Sequence, residues 1–196
     1  ETDKGLVPLT GAEGILDFMP SLKDRAAIKA KDVFMLDSSN IQPEEWQQLA
    51  RAVLGAAESA EGIVITHGTD TMAYTASALS FMLAGIRIPV VFTGSQLPLL
   101  NAISDAPGNL REAFTMAASG RPGVFIAFHH KVIYGTRAVK MRTLGFDAFD
   151  SINAPPVGVF DADGLHLAPE VKAPDINGIK DPLAIDPRVF LLKMMP

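Results

Sequence analysis

The sequence contains no cysteine, so disulfides, thiolate metal sites and cysteine nucleophiles are all excluded. This fits a reducing compartment, and a cytoplasmic location is the expectation. Long runs of lysine or arginine are missing too. With 17 Lys and Arg against 22 Asp and Glu the net charge is −5, which lacks the basic footprint of a nucleic-acid binder or a polybasic membrane patch. No stretch approaches the roughly 18 apolar residues of a membrane span. The opening ETDKGLVPL does not have the pattern of a signal peptide, and because it starts with Glu, further chain is expected upstream. No GxGxxG follows a first strand and no GxxxxGK[ST] loop occurs, which sets a nucleotide-binding domain aside. Internal repeats and low-complexity tracts are also absent.

What is present is globular in balance. Over 196 residues, 48% are hydrophobic and 20% charged, enough for one α/β domain with a sizeable core and part of a second. Short apolar runs alternate with helical spacing, the pattern of βαβ units around a mostly parallel, doubly wound sheet. The runs predict strands at 32–36, 62–66, 89–93 and 123–128, with helices at 43–58, 71–83 and 109–118. Pro43 suits a first helical position, Glu44 and Glu45 suit its positive end, and Trp46, Leu49, Val53 and Leu54 form the expected buried face. Beyond residue 151, VGVFDADGLHL reads as a hairpin turning at Asp163-Gly164. The Pro-, Asp- and Gly-rich APDINGIKDPLAIDP then reads as a linker, and RVFLLKMMP as a terminal strand. The expected organisation is a first domain over 1–172, a linker over 173–187 and the start of a second α/β domain over 188–196.

Three expected strands end in small, polar residues: DSSN at 37–40, HGTDT at 67–71 and TGSQLP at 93–98. In open parallel sheets, ligands collect at the carboxyl ends of strands, so these loops should face one crevice. Each loop alone also reads as a helix cap or a turn, and only their convergence favours a site. Thr69 and Asp70 fall where a strand meets a helix N-terminus. A threonine hydroxyl is a weak nucleophile until a base takes its proton. His67, His129, His130 and Lys140 are all candidates, the lysine only if its surroundings hold it close and lower its pKa.

ITHGTDTMAYTASALSFML resembles the second signature of the bacterial-type L-asparaginases, and most of all their cytoplasmic type I branch. LDSSNIQPEEW resembles that family's substrate loop, TGSQLP the next active-site loop, and GTRAVKMRTLGFDAFDS the segment bearing its lysine. The resemblance runs from about residue 5 to the end of the chain and implies hydrolysis of L-asparagine to L-aspartate and ammonia. It implies that Thr69, Asp70 and Lys140 form a catalytic group. Thr69 would position the attacking water or intermediate, Lys140 would shuttle its proton, and Asp70 would bind the substrate α-ammonium. Asp37, Ser38 and Ser39 would hold the substrate, Ser38 through its α-carboxylate, and Ser95 would lie near the side-chain amide. The family pattern calls for no metal or organic cofactor, and for a homo-oligomer, a dimer or tetramer, acting on a small-molecule substrate without nucleic acid or membrane.

The chain also departs from that pattern. The family's first strand ends in Thr-Gly-Gly-Thr-Ile, whose second Thr is the principal nucleophile, and no such segment occurs here. LTGAEGI follows a proline and a short loop, so Thr10 is rejected as that residue, and Leu6 stands near the place of the family's lid tyrosine. Most of a second domain is expected to be missing too, and catalysis by the chain alone to be impaired. Other readings of the same crevice are a non-catalytic module that binds a small amino acid, a glutaminase-asparaginase, and the asparaginase-like subunit of a tRNA-dependent amidotransferase.

Overall fold

Residues 89–93, PVVFT, are buried at every position, as a parallel strand covered on both faces requires. The structure is a computed structural model describing residues 11–17, 19–23, 26–170, 181, 183–186, 188, 189 and 192. In chain order its elements are α1 (Ala12–Asp17), α2 (Pro20–Lys23), a 3-10 turn (Ser38–Asn40), α3 (Pro43–Ala57), β1 (Ile63–Thr66), α4 (Met72–Met82) and β2 (Pro89–Thr93). They continue as α5 (Ala106–Ala117), β3 (Gly123–Phe128), β4 (Lys131–Tyr134), β5 (Ala138–Lys140), β6 (Phe149–Ser151), β7 (Gly158–Asp161) and β8 (Gly164–Leu167).

The main sheet runs β1-β2-β3-β4-β7-β8, and β5 pairs with β6 in a small separate sheet. β1, β2 and β3 are parallel, with Val64 opposite Val91 and Val91 opposite Phe125. Strands β4, β7 and β8 extend them antiparallel, and β7 and β8 form the hairpin expected around Asp163-Gly164. Alternation along β2 divides the core. Val90 and Phe92 pack with Leu49 and Val53 of α3 and with Met72 and Leu79 of α4. Val91 points the other way, to Ala113 and Met116 of α5. This places helices on both faces of the parallel strands, the expected α/β architecture. Among the described residues no helix is long and apolar enough to cross a membrane.

Four features differ from the sequence expectations. Residues 32–36 form no strand. A strand requires a paired edge, and among the described residues β1 is paired only on its β2 side. Here the Asp32 carboxylate accepts from Ala12 N–H at 2.8 Å and the Val33 carbonyl from Gln48 Nε2 at 3.2 Å. Leu54 is exposed, because it lies about 80° round the helix from Trp46, at the margin of the buried face. Ala50 takes its place. The short elements α1, α2, β4, β5 and β6 carry too few residues to show a period, and sequence did not predict them. Finally, α5 starts three residues earlier than expected, at Ala106 with Pro107 in its first turn.

Leu6 and Thr10 lie outside the described residues, as do most of 173–187 and all of 188–196 except Arg188, Val189 and Leu192. Within the expected linker, Leu183 and Ile185 pack against the larger core cluster, and Gln47 Nε2 donates to the Leu183 carbonyl at 2.8 Å.

Candidate active site

Thr69 and Asp70 occupy the turn between β1 and α4, and Lys140 is the last residue of β5. The fold brings them together across some 70 residues of sequence. Lys140 Nζ lies 2.8 Å from Thr69 Oγ1 and 2.7 Å from Asp70 Oδ1. The Lys140 side chain is 16% exposed and that of Asp70 61%. An ion pair with one partner so open to water contributes little to stability. An ammonium can only donate, and here it donates to both a hydroxyl and a carboxylate.

The Thr69 hydroxyl has a second partner, the Gln96 side-chain oxygen, at 3.2 Å. Gln96 Nε2 donates to the Thr143 carbonyl at 2.9 Å and the Gly145 carbonyl at 3.0 Å, in the loop that follows Lys140. The Asp105 carboxylate holds the Gln96 backbone in place by accepting from the N–H groups of Gln96 and Leu97. Asn109 joins this support, donating from Nδ2 to both the Gly94 carbonyl and Asp105. Sequence reasoning singled out Ser95 in this loop and passed over Gln96. The available signal was a long amide in a run of otherwise small residues.

The DSSN loop lies against HGTDT. The Asp37 carboxylate accepts from Ser39 N–H at 2.8 Å, and that backbone bond, followed by one from the Ser39 hydroxyl, holds its carboxyl below the ordinary carboxylate range. The Thr71 hydroxyl donates to the Ser38 carbonyl at 2.7 Å, tying the two loops together. Ser38 is only 5% exposed and packs on Gly68, where an added Cβ would come within 2.6 Å of Ser38 Oγ. Asp37 and Ser39 stand open. Ser95 is half-buried, and its hydroxyl donates to the Leu97 carbonyl at 2.6 Å.

The three histidines considered as bases do not meet Thr69. His67 is placed 2.6 Å from the Gly68 carbonyl through Nδ1 and 3.0 Å from Thr75 Oγ1 through Nε2, and burial pushes its pKa down. His129 and His130 form the β3–β4 turn with φ of 46° and 64°, held by α5. There His129 N–H donates to Asn109 Oδ1 at 3.0 Å, and Glu112 receives His130 N–H at 2.9 Å and faces its Nδ1 at 2.6 Å. Of the candidate bases, only Lys140 reaches Thr69.

A cavity of about 320 Å³ opens beside these loops, lined by Leu36, Thr66, Gly68, Gly94, Ser95 and Leu110 among others. Thr69, Asp70 and Lys140 are outside its lining. The cavity therefore marks open space at the carboxyl ends of β1 and β2, with the polar cluster outside it. Among the described residues, the grouping with spacing suited to a metal is Asp161, Asp163 and His166, exposed on the β7–β8 hairpin at the far edge of the sheet from β1.

Comparison with known proteins identifies the family. Residues 1–172 match the model of the family described as asparaginase, N-terminal. The chain is 43% identical over 197 residues to an L-asparaginase of Thermococcus kodakarensis, an alignment covering 100% of this chain and 60% of that protein. It is 35% identical over 195 residues to one subunit of the glutamyl-tRNA(Gln) amidotransferase of Methanosarcina mazei, covering 94% of this chain and 46% of that one. A solved structure of the thermostable L-asparaginase from Thermococcus kodakarensis superposes with a TM-score of 0.82 at 44% identity, over 89% of this chain and 54% of the other. The chain thus spans about 60% or less of the length of these relatives. The chain therefore belongs to the asparaginase family and matches its N-terminal domain.

Proposed function

We propose that the protein is an amidohydrolase that hydrolyses L-asparagine to L-aspartate and ammonia, and that this chain supplies part of its catalytic centre. The observation that carries the reading is Lys140 Nζ placed 2.8 Å from Thr69 Oγ1 and 2.7 Å from Asp70 Oδ1. A zwitterionic substrate needs an anion for its ammonium, donors for its carboxylate and preorganised donors for the oxyanion that forms at the amide carbon. Asp70, open to solvent and already paired with one cation, suits the first need. The Asp37, Ser38 and Ser39 segment suits the second, Ser38 in the role that the family pattern gives it and Ser39 as the exposed hydroxyl beside it. Ser95 lies at the end of β2 near where the side-chain amide would sit.

In this reading Thr69 positions the attacking water or the intermediate, and Lys140 takes up and returns its proton. The principal nucleophile belongs to a Thr-Gly-Gly-Thr segment that the 196 residues do not contain. We place the first domain at 1–172, a linker at 173–187 and the start of a second domain at 188–196. The working protein is read as a cytoplasmic homo-oligomer, a dimer or tetramer.

An ammonia-release assay with L-asparagine and L-glutamine tests the reading, run on this chain and on a chain extended at both ends by the corresponding segments of an asparaginase. Release by the extended protein on L-asparagine is the expected result. A protein that binds aspartate but releases no ammonia in either form would be a binding module, and the reading would fail. The amidotransferase relative favours a second reading, in which the same site liberates ammonia for a tRNA-bound substrate. It predicts that turnover rises when charged tRNA is added.

A further inference from the structure

The Gln96 side chain has a fixed orientation. Both groups facing Nε2 are backbone carbonyls, of Thr143 and Gly145, and carbonyls only accept, so the amide must present its NH₂ to them. The amide oxygen is then the atom facing Thr69 at 3.2 Å, and an amide oxygen also only accepts. The Thr69 hydroxyl proton must therefore point at Gln96. That leaves the Thr69 lone pairs to receive the Lys140 ammonium at 2.8 Å.

We propose that Gln96 is a positioning residue that sets the direction of the Thr69 hydroxyl and couples it to the 143–145 loop, an inference that rests on Thr69 and Lys140 being the reacting pair. An amide oxygen is too weak a base to remove the proton it is offered. Lys140 takes that proton only after releasing one of its own to solvent and after the hydroxyl turns from Gln96 toward it. Gln96 thus favours the state with Lys140 protonated and Thr69 neutral. Its two bonds to the 143–145 carbonyls mean that movement of this loop would release the hydroxyl. Asp105 keeps the Gln96 backbone still while the side chain does this.

The test compares Gln96→Met and Gln96→Glu with the parent protein, reading the pH dependence of Lys140 acetylation by trace acetic anhydride through mass spectrometry of the peptide containing it. Both variants lose the bonds to the 143–145 carbonyls, and hydrogen exchange over 141–147 should rise in both. The labelling midpoints should move in opposite directions. Met removes the fixed acceptor arrangement at Thr69, so the Lys140 midpoint falls. Glu places a carboxylate beside the pair, so the midpoint rises, each by about half a pH unit or more. Midpoints that stay at the parent value, or that move together, would reduce Gln96 to a loop tether and overturn the proposal. Should Gln96→Met fail to fold, Gln96→Ala, which removes the same acceptor, takes its place in the comparison. For ammonia release by the extended protein, the Met variant should lose on the order of 10- to 100-fold in kcat with KM little changed. Labelling needs no turnover, so an extended protein that released no ammonia would count against the proposed reaction, while the midpoints would still decide the role of Gln96.

Discussion

His67 Nε2 lies 3.0 Å from Thr75 Oγ1, and the Gly68 carbonyl facing the other ring nitrogen fixes the tautomer of this buried imidazole. The Nδ1 atom sits 2.6 Å from the Gly68 carbonyl, so Nδ1 carries the proton and Nε2 accepts from the threonine. Thr75 in turn accepts from Trp46 Nε1 at 3.1 Å. Trp46, Thr75, His67 and Gly68 therefore form a chain of donors running one way, from α3 through α4 to the turn that carries Thr69. Thr75→Val keeps the shape and leaves the Trp46 N–H and His67 Nε2 without partners. The expected cost is about 1–3 kcal/mol for each stranded group, and Thr75→Ser should cost far less. Urea unfolding followed by the fluorescence of Trp46, the single tryptophan, measures both.

The same imidazole predicts a pH dependence of stability. Burial lowers the pKa of His67 in the folded protein below its ordinary value, while the unfolded chain titrates near 6.5. Below that pH the unfolded state binds the extra proton first, so stability is fully present above about pH 6.5 and declines as the pH falls toward the folded pKa. His67→Gln should flatten this decline while lowering stability at pH 7.5. Unfolding curves at pH 7.5, 6.5 and 5.5 for both proteins provide the check, and parallel declines would mean that other groups dominate.

Much of the parallel core was legible in the sequence. β2 and β3 begin and end where their apolar runs do, and β1 and α3 differ from expectation by one residue at one end, because Gly and Pro punctuate them sharply. The three polar loops were legible as sharing one end of the sheet for the same reason, and Lys140 was legible through its motif. Val33 and Phe34 read as a strand because their apolar side chains do pack on the core. What they lack among the described residues is a paired strand, and pairing is not encoded in their own pattern. Gln96 was missed because its role depends on carbonyls 47 and 49 residues away, whose positions no local pattern encodes.

Asp70 and Lys140 should separate binding from turnover. Asp70 is mostly exposed, so Asp70→Asn should leave the unfolding midpoint nearly unchanged while weakening aspartate binding about 10- to 100-fold, the loss expected when a charged hydrogen-bond acceptor becomes neutral. Lys140→Met should keep aspartate affinity within a few-fold and lower ammonia release on the order of 10²- to 10⁴-fold. Calorimetric titration with aspartate, set beside the ammonia assay, distinguishes the two. Unchanged aspartate affinity in Asp70→Asn would remove the ammonium-binding role from that residue.

Gly68 and Gly94 flank the same turn, and alanine at each should fail in a different way. A Cβ on Gly94 would run into the His67 backbone carbonyl, which the β1–β2 ladder holds in place by the bond from His67 N–H to the Thr93 carbonyl. Gly94→Ala must therefore shift backbone, and a loss of about 1–3 kcal/mol or more in stability is expected. A Cβ on Gly68 would instead meet the Ser38 side chain, 2.6 Å from Oγ and 2.8 Å from Cβ, while the Ser38 backbone nitrogen stays 3.5 Å away. Removing that side chain relieves the clash, so Ser38→Gly should restore stability to Gly68→Ala but do nothing for Gly94→Ala. A double-mutant cycle on unfolding free energy reads this directly, because residues in contact couple and the other pair should simply add. Should Ser38→Gly rescue Gly68→Ala in folding but not in aspartate binding, the Ser38 hydroxyl is needed at the site, as its place beside Gly68 implies. Rescue of both would leave the α-carboxylate to Ser39 and the loop backbone.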